Sequence, residues 1–219
     1  MTEYRQANQS LVLLAQRDLR DFLSSFNLAG SPDVVRDALL EFFPELVTVY
    51  GDTAALLGAD FYDALRNVPP SASSFRAVMA APPIFAQSAG TVRWGVGPLW
   101  SEGGAAKASM RLAGGLQRLV MQSGRDTIWD SARRDSVRTA VARVPTGAKT
   151  CKWCTMLASR GAVYGSKASA GEENDYHDDC DCVPTVIRSE SDFPEGHDVK
   201  EFQRLYALDS GVGRDLPTD

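Results

Sequence analysis

The sequence CKWCTMLASRGAVYGSKASAGEENDYHDDCDCVP, residues 151–184, holds all four cysteines of the chain and decides how its fold divides. It is rich in Gly, Tyr and acidic residues, whereas the chain before it has mainly helical patterns. Strand-like runs, rich in β-branched residues, occur at 162–164 and 183–187. This shift in composition predicts a small α+β or loop-rich module at the end of a helical body.

Five side chains of this region are candidate ligands for one zinc ion. Two residues separate Cys151 from Cys154, so a turn can direct both sulfurs to one centre. Alternate residues of an extended strand lie about 7 Å apart, so Cys180 and Cys182 can both bind only if the chain turns tightly between them. Without that turn, the predicted ligands are Cys151, Cys154, His177 and one of Cys180 or Cys182.

Two other uses of the cysteines stay open. Four cysteines allow two disulfides in three pairings, which a reducing cytoplasm disfavours and an oxidising environment permits. One cysteine could instead be a nucleophile, with His177 as its base and an aspartate orienting the imidazole. Acidic neighbours would raise a thiol pKa and disfavour that use. These neighbours are Glu172, Glu173, Asp175, Asp178, Asp179 and Asp181.

The residues before the module are predicted to form a body of several helices, so the fold class is mainly α, or α+β overall. Val12, Ala15, Leu19 and Phe22 recur at steps of three and four, as on one face of a helix. Prolines and glycines indicate where the helices end. The predicted helices cover about residues 4–26, 32–44, 52–66, 73–80, 105–122 and 126–142, with a further segment through Ile84 and Trp94.

Three features of the body lead to more specific predictions. The second helix is expected to bend or restart at Pro44, and Pro69 and Pro70 are expected to end the third. The pair Gly114 and Gly115 predicts a close helix crossing, and a break is expected at 123–124. Arginines of the last helix are predicted to form a solvated face that could contact packaged DNA weakly. They are Arg133, Arg134, Arg138 and Arg143.

These patterns divide the chain into three parts: a helical body at 1–145, the Cys/His module at 146–190 and a C-terminal helix with a mobile tail at 191–219. The C-terminal helix is predicted over about Val199–Leu208. His197 has no partner at ligand spacing, so we expect a solvated loop histidine. The tryptophans are expected to be core or interface anchors; they are Trp94, Trp100, Trp129 and Trp153.

The net charge of −5 gives no general attraction for nucleic acid. No apolar run approaches the roughly 20 residues that cross a bilayer, and the first ten residues lack the pattern of a secretory signal. We therefore expect the protein to be made and used in the cytoplasm.

The region 144–186 resembles the C-terminal signature of the MuF-like head morphogenesis family of minor capsid proteins from tailed bacteriophages. That signature has a CxxC pair, a Gly-x-x-Tyr strand and a His-Pro-x-Cys-Arg-Cys element that ends near a proline. The helical body is also similar to proteins of actinobacteriophages, through 93–99 and 143–147. The matching residues of the signature are Cys151, Cys154, Gly161, Tyr164, His177, Cys180, Cys182 and Pro184.

The resemblance implies a minor capsid protein that contacts the portal and major capsid proteins during procapsid assembly or DNA ejection. It implies the host cytoplasm during assembly and later the virion, inside the head or near the portal. Related proteins are also described as capsid maturation proteases, acting on the major capsid or scaffold protein, although no catalytic pair stands out here. Asp178 and Asp181 replace the proline and arginine of the signature, so the roles of those residues do not transfer.

Overall fold

The computed structural model describes residues 1–28, 30–66, 74–137, 140–147, 150–165, 176–178, 180 and 182–210. The described residues are mainly helical and include a two-stranded sheet near the C-terminus, which confirms the predicted fold class. The helices are α1 (Thr2–Ser24), α2 (Pro32–Arg66), α3 (Phe85–Val96), α4 (Ala105–Arg134), α5 (Lys152–Ser159) and α6 (Val199–Ser210). The strands are β1 (Ala140–Val144) and β2 (Val183–Ile187), and short 3-10 helices cover Gly97–Trp100 and Glu190–Asp192.

Helix α2 runs without interruption through the positions where two helices were predicted to meet. The prediction of a restart at Pro44 and a new helix near residue 52 is wrong, because one helix covers both positions, whereas a bend at Pro44 stays a prediction. The buried stripe continues across both positions through Leu39, Phe43 and Val47 to Ala54, and all four side chains are almost inaccessible to solvent. Packing of this stripe outweighs the loss of one hydrogen bond at the proline. The stop predicted at Pro69 and Pro70 lies outside the described residues.

Helix α4 is also continuous, so the break predicted at 123–124 is wrong. Gly124 lies where α4 crosses α2: a Cβ on Gly58 would be 2.5 Å from the Gly124 carbonyl oxygen. Glycine is therefore needed at this point for close backbone approach, and does not end the helix. The close crossing predicted at the glycine pair is confirmed at Gly115, where an added Cβ would overlap the Thr91 methyl group of α3.

The segment from 74 to 84 has no helix, so the short helix predicted over 73–80 is wrong for its described residues. This segment lies across α2 and α4, and side chains of those helices bind its backbone. Asp63 accepts a hydrogen bond from the Ala77 amide at 3.0 Å, and Thr127 Oγ1 accepts one from the Ala80 amide at 2.9 Å. In a helix these two amides would donate to main-chain carbonyls of the same segment. Here side chains of α2 and α4 provide the acceptors.

The last body helix was predicted to continue to Ala142, but α4 ends at Arg134 and β1 begins at Ala140. The predicted end of that helix is therefore wrong. Strand β1 pairs antiparallel with β2, with Arg143 opposite Pro184 and Val141 opposite Val186. The predicted strand at 183–187 is confirmed, and the run at 162–164 contributes one bridge from Tyr164 to Val141. Pairing with a distant strand decides the conformation of β1, which local periodicity could not indicate.

The largest apolar core joins α1, α2, α3 and α4, and a second cluster joins this body to β2. In the second cluster, Tyr62 and Ile128 pack against Val183 and Val186. The predicted C-terminal helix is confirmed as α6, which packs on α5, whereas the tail after 210 lies outside the described residues. The three-part division of the chain stays a prediction. No helix in the described part of the chain has the length and apolarity of a membrane span.

Candidate metal centre

The CxxC pair lies at the start of α5. Cys151 is the N-cap residue, and its Sγ accepts a hydrogen bond from the Cys154 amide at 3.2 Å. Extended backbone at Cys151 followed at once by helical backbone makes the turn that the spacing predicts, and it brings both sulfurs to the N-terminal end of α5. The positive end of the helix favours negative charge on these sulfurs.

The second pair of cysteines immediately precedes β2 and is held by Arg125 of α4. The Arg125 Nη2 donates to the Cys180 carbonyl oxygen at 2.6 Å, and its Nε donates to the Cys182 carbonyl oxygen at 3.0 Å. Neighbouring N–H groups of a guanidinium point in nearly the same direction, so both carbonyls must turn toward one point. This grip holds the Cys180 and Cys182 carbonyl oxygens close to one guanidinium.

All five predicted donors come together around Cys154. The sulfurs of Cys154, Cys180 and Cys182 lie within 4.8 Å of one another, and Cys154 also forms such a group with Cys151 and His177. The Sγ atoms of Cys154 and Cys180 are 3.5 Å apart. Sulfurs bound tetrahedrally at about 2.3 Å from zinc are roughly 3.8 Å apart, so the donors fit a zinc ion. None of the four cysteines is paired in a disulfide in this structure.

His177 has the hydrogen bonding typical of a metal-binding histidine. Its Nδ1 lies 2.6 Å from the Asp178 main-chain oxygen, and its Nε2 lies 2.9 Å from the Cys151 Sγ. A proton on Nδ1, donated to that carbonyl, leaves the Nε2 lone pair directed at the cysteine cluster. The Asp178 carboxylate does not orient the imidazole, because it pairs with Arg118 Nε at 2.9 Å.

The three buried thiols influence one another's acidity strongly. Contacts with Cys180 and Cys182, together with burial, raise the pKa of Cys154 far above its ordinary value. The contacts with Cys154 and Cys182 lower the pKa of Cys180 despite burial. For Cys182, the contact with Cys154 favours ionisation, but Cys180 and burial outweigh it and raise the pKa. Mutual repulsion thus limits ionisation of the trio, and a divalent cation would favour thiolates at all three positions.

Cys151 is the most exposed of the four thiols and differs from the others. Partial burial opposes its ionisation, but the hydrogen bonds with His177 and the Cys154 amide outweigh burial and lower its pKa. The bond to the Asp178 carbonyl and the contact with Cys151 raise the pKa of His177. The net shift at Cys151 is thus opposite to the one expected from acidic neighbours. The acidic residues at 172, 173, 175, 179 and 181 lie outside the described part of the chain.

A stack of Arg125, Tyr176 and Arg143 borders the cysteine cluster, and sequence reasoning missed it. The guanidinium carbon of each arginine lies 3.9 Å from the centroid of the Tyr176 ring. Arg143 was predicted to face solvent, but it is fully buried, because β1 directs it into the module. Arg133 and Arg134 are exposed as predicted, and Arg138 lies outside the described residues.

His197 lies in a loop as predicted, but its ring is half-buried and not freely solvated. Its ring stacks on Phe193 at a centroid distance of 5.1 Å and contacts Phe202 at 5.0 Å. Burial by these rings lowers the pKa of His197. Of the tryptophans, Trp129 is a core residue as expected, and the other three are about half exposed. The clustered donors therefore include one histidine of the two in the chain.

Fold and site together define a mainly helical protein with a clustered Cys/His donor set beside a two-stranded sheet. The chain belongs to the VG15 protein family, whose sequence model matches residues 1–208. It is 32% identical over 185 residues to the Gene 15 protein of Mycobacterium phage L5, covering 74% of this chain and 55% of that protein. It is 35% identical over 136 residues to the Gene 15 protein of Mycobacterium phage D29, covering 59% and 48%.

The chain thus spans about half the length of the curated relatives it matches. Both relatives are bacteriophage proteins, which confirms the predicted class of source. No solved structure matches the chain.

Proposed function

We propose that the chain is a minor capsid and head morphogenesis protein of a tailed bacteriophage, acting with the portal and major capsid proteins during procapsid assembly. The observation that supports this most is the clustering of the signature residues. Donors 26 residues apart in sequence, such as Cys154 and Cys180, meet at one point, as the MuF-like signature requires. Membership of a family with bacteriophage relatives agrees with this proposal.

Co-expression with the portal and major capsid proteins of the same phage tests this role. We expect the chain to co-sediment with assembled shells or with isolated portal, and to be lost from shells assembled without portal. A chain that stays in the soluble fraction under all of these conditions would contradict the proposal. Arg17→Ala controls for the effect of a surface substitution and should co-sediment like the wild type. Arg17 is an exposed residue of α1 whose partner is the adjacent Asp18.

The proposed role of the metal centre is structural. Four donors from the set Cys151, Cys154, His177, Cys180 and Cys182 would bind a zinc ion, which would tie the start of α5 to the start of β2. Zinc has no redox chemistry and binds such sets as a closed tetrahedral site. Because the donors come from separate segments, binding energy becomes folding energy of the module.

The two histidines give a matched test of the centre. We expect about one zinc per purified chain, and we expect His177→Ala to lower zinc affinity by about 10-fold or more, because one donor is lost. His197→Ala should keep the wild-type affinity, since its ring contacts Phe193 and Phe202 and not the cysteines. Elemental analysis of anaerobically purified protein measures the zinc content, and competition with a chromogenic chelator measures the zinc affinity. Metal-free wild-type protein would remove the centre from the proposal.

A second candidate function is a capsid maturation protease, favoured by one observation. The Cys151 Sγ lies 2.9 Å from the His177 Nε2 and has a lowered pKa, as a nucleophile with its base does. Co-expression with the major capsid or scaffold protein, followed by intact mass, separates the two functions. If the wild type cleaves the capsid or scaffold protein and Cys151→Ala does not, the protease function is favoured. If neither the wild type nor Cys151→Ala cleaves it, the protease function is excluded.

A further inference from the structure

We propose that Arg125, Tyr176 and Arg143 form an electrostatic brace that holds the metal centre together and offsets its negative charge. Arg125 and Arg143 would be positioning residues, since they act through the cysteines and not by binding the metal. This inference rests on the proposed metal centre. It adds three residues, Arg125, Tyr176 and Arg143, that lie outside the donor set and that a Cys/His pattern does not reveal.

The geometry of the stack is unusually constrained. Both guanidinium carbons lie 3.9 Å from the centroid of the Tyr176 ring. At that distance a guanidinium in the plane of the ring would collide with ring carbons, so each arginine lies over a face of the ring. Both arginine side chains are fully buried, and the tyrosine is 6% exposed. Two cations are therefore held on one ring in an environment that excludes water.

The positive charge of the stack adjoins the thiol cluster. Tyr176 packs in one buried cluster with Cys154, Cys180 and Cys182. Burial opposes the charge on Arg143, but the Tyr176 phenol and the thiols of these cysteines favour it and raise its pKa. Guanidinium groups keep their proton in proteins, so both positive charges must be offset locally.

A metal complex of these donors has the charge that the brace requires. One divalent cation with three thiolates and an imidazole carries a single net negative charge, and with four thiolates it carries two. Either complex attracts the pair of guanidinium groups. Arg66, a buried arginine away from the cysteines, has a carboxylate partner in Asp135. At Arg125 the Nε and Nη2 groups bind main-chain carbonyls, which carry no net charge.

The brace also connects the centre to the rest of the fold. Arg125 lies on α4 of the helical body, Arg143 lies on β1, and Tyr176 directly precedes His177. The Arg125 fork sets the backbone at Cys180 and Cys182, as described above. Metal binding is therefore expected to order the contact between the long helices and the module, in addition to the module itself.

Substitution of Arg143 tests the charge of the brace. Zinc affinity of purified protein is measured by chelator competition for wild type, Arg143→Met and Arg143→Lys. We expect Arg143→Met to weaken affinity about 10- to 100-fold, as losses of outer partners of a metal site do. Arg143→Lys keeps the charge and should recover most of the loss. Equal affinity of wild type and Arg143→Met, or Lys no better than Met, would overturn the inference.

Two further variants separate the brace from general destabilisation. Arg66→Met removes a buried arginine away from the cysteines, so it should lower the melting temperature and leave zinc affinity unchanged. Arg125→Lys keeps the charge but loses the two-carbonyl fork, so we expect about 10-fold weaker affinity and an altered visible spectrum with cobalt in place of zinc. If Arg143→Met does not fold, Arg125→Lys decides: wild-type affinity and a wild-type cobalt spectrum in that variant would overturn the inference.

The zinc affinity of the wild type distinguishes failure of the metal centre from failure of the brace. Wild-type protein without any metal affinity contradicts the metal centre and the brace together. Wild-type protein that binds zinc, with arginine variants that bind equally well, leaves the centre in place and removes only the brace.

Discussion

Asp135 is the residue whose ionisation the fold depends on most clearly. Its carboxylate, at the C-terminal end of α4, accepts hydrogen bonds from Arg66, from the Tyr62 hydroxyl at 3.1 Å and from the Val137 amide at 3.0 Å. The Asp135 and Arg66 side chains are almost completely buried. Burial raises the pKa of Asp135, but the bonds to Arg66, Val137 and Tyr62 outweigh burial and lower it.

A lowered pKa in the folded state predicts the direction of the pH dependence. The stabilisation from Asp135 is fully present above its unfolded value of about 3.8 and is lost as the pH falls through the lower, folded value. We expect Asp135→Asn to lower the free energy of unfolding by roughly 3–5 kcal/mol at neutral pH, because the buried Arg66–Asp135 ion pair is broken. Denaturant titrations at several pH values measure this change.

The variant Asp130→Asn is the control for these titrations. Asp130→Asn removes a carboxylate from the exposed pair with Arg133, and such pairs contribute little to stability. We expect this variant to follow the wild type over the whole pH range. A stability of Asp135→Asn that equals the wild type and declines equally in acid would contradict the assigned role.

At the level of residues, the sequence predicted the donors and missed what surrounds them. Cys and His at ligand spacing are a local signal, so all five donors could be named in advance. Arg143 could not, because an arginine in an apparent helix is expected to face solvent, and only pairing of β1 with β2 directs it inward. Arg125 is buried by a contact with a segment 55 residues away, at Cys180, which no local pattern encodes.

Among the elements, α2 and α4 cross with backbone packed directly against backbone. Gly58 faces Gly124, and a Cβ at Gly58 would lie 2.5 Å from the Gly124 carbonyl oxygen and 3.0 Å from its Cα. A Cβ at Gly124 would meet the Ala54 carbonyl oxygen at 2.6 Å. Backbone atoms on both sides cannot move independently of their helices. The two long helices must therefore separate to accept any side chain here.

Alanine substitution at this crossing should be costly, although alanine favours helix. We expect Gly58→Ala to destabilise the protein by about 1–3 kcal/mol, the usual cost of overpacking. Gly90→Ala is the matched control, since α3 leaves open space around that position and alanine gains about 1 kcal/mol of helix propensity. Thermal and urea unfolding of the two variants should move in opposite directions. Equal stability of both would show that the helices adjust freely.

Helices were predicted well from the sequence, whereas their ends and connections were not. The apolar stripe of α1 is visible as a period, and its burial at Ala15 and Leu19 follows. Pro44 and Gly124 were interpreted as breaks because their local preferences oppose helix, yet contacts between distant segments override those preferences. The same reason explains β1, whose conformation depends on a partner strand about forty residues further along the chain.

For the whole molecule, removal of metal should affect the module and the body unequally. The helices α1 to α4 share an apolar core that does not include the cysteines. We therefore expect a strong chelator to lower the melting temperature and reduce near-ultraviolet circular dichroism, while most of the far-ultraviolet helical signal remains. His177→Ala should respond much less to the chelator. Loss of all helical signal on chelation would mean that the body cannot fold without the centre.

Trp129 gives this centre an optical reporter that needs no label. Its indole is 4% exposed, and its Nε1 lies 3.4 Å from the Tyr176 hydroxyl, whereas the other three tryptophans are each about half exposed. Acrylamide should therefore quench the outer three first and leave a residual blue-shifted fluorescence from Trp129. Changes in that residual emission would follow events at the centre within the intact chain, including during assembly with other head proteins.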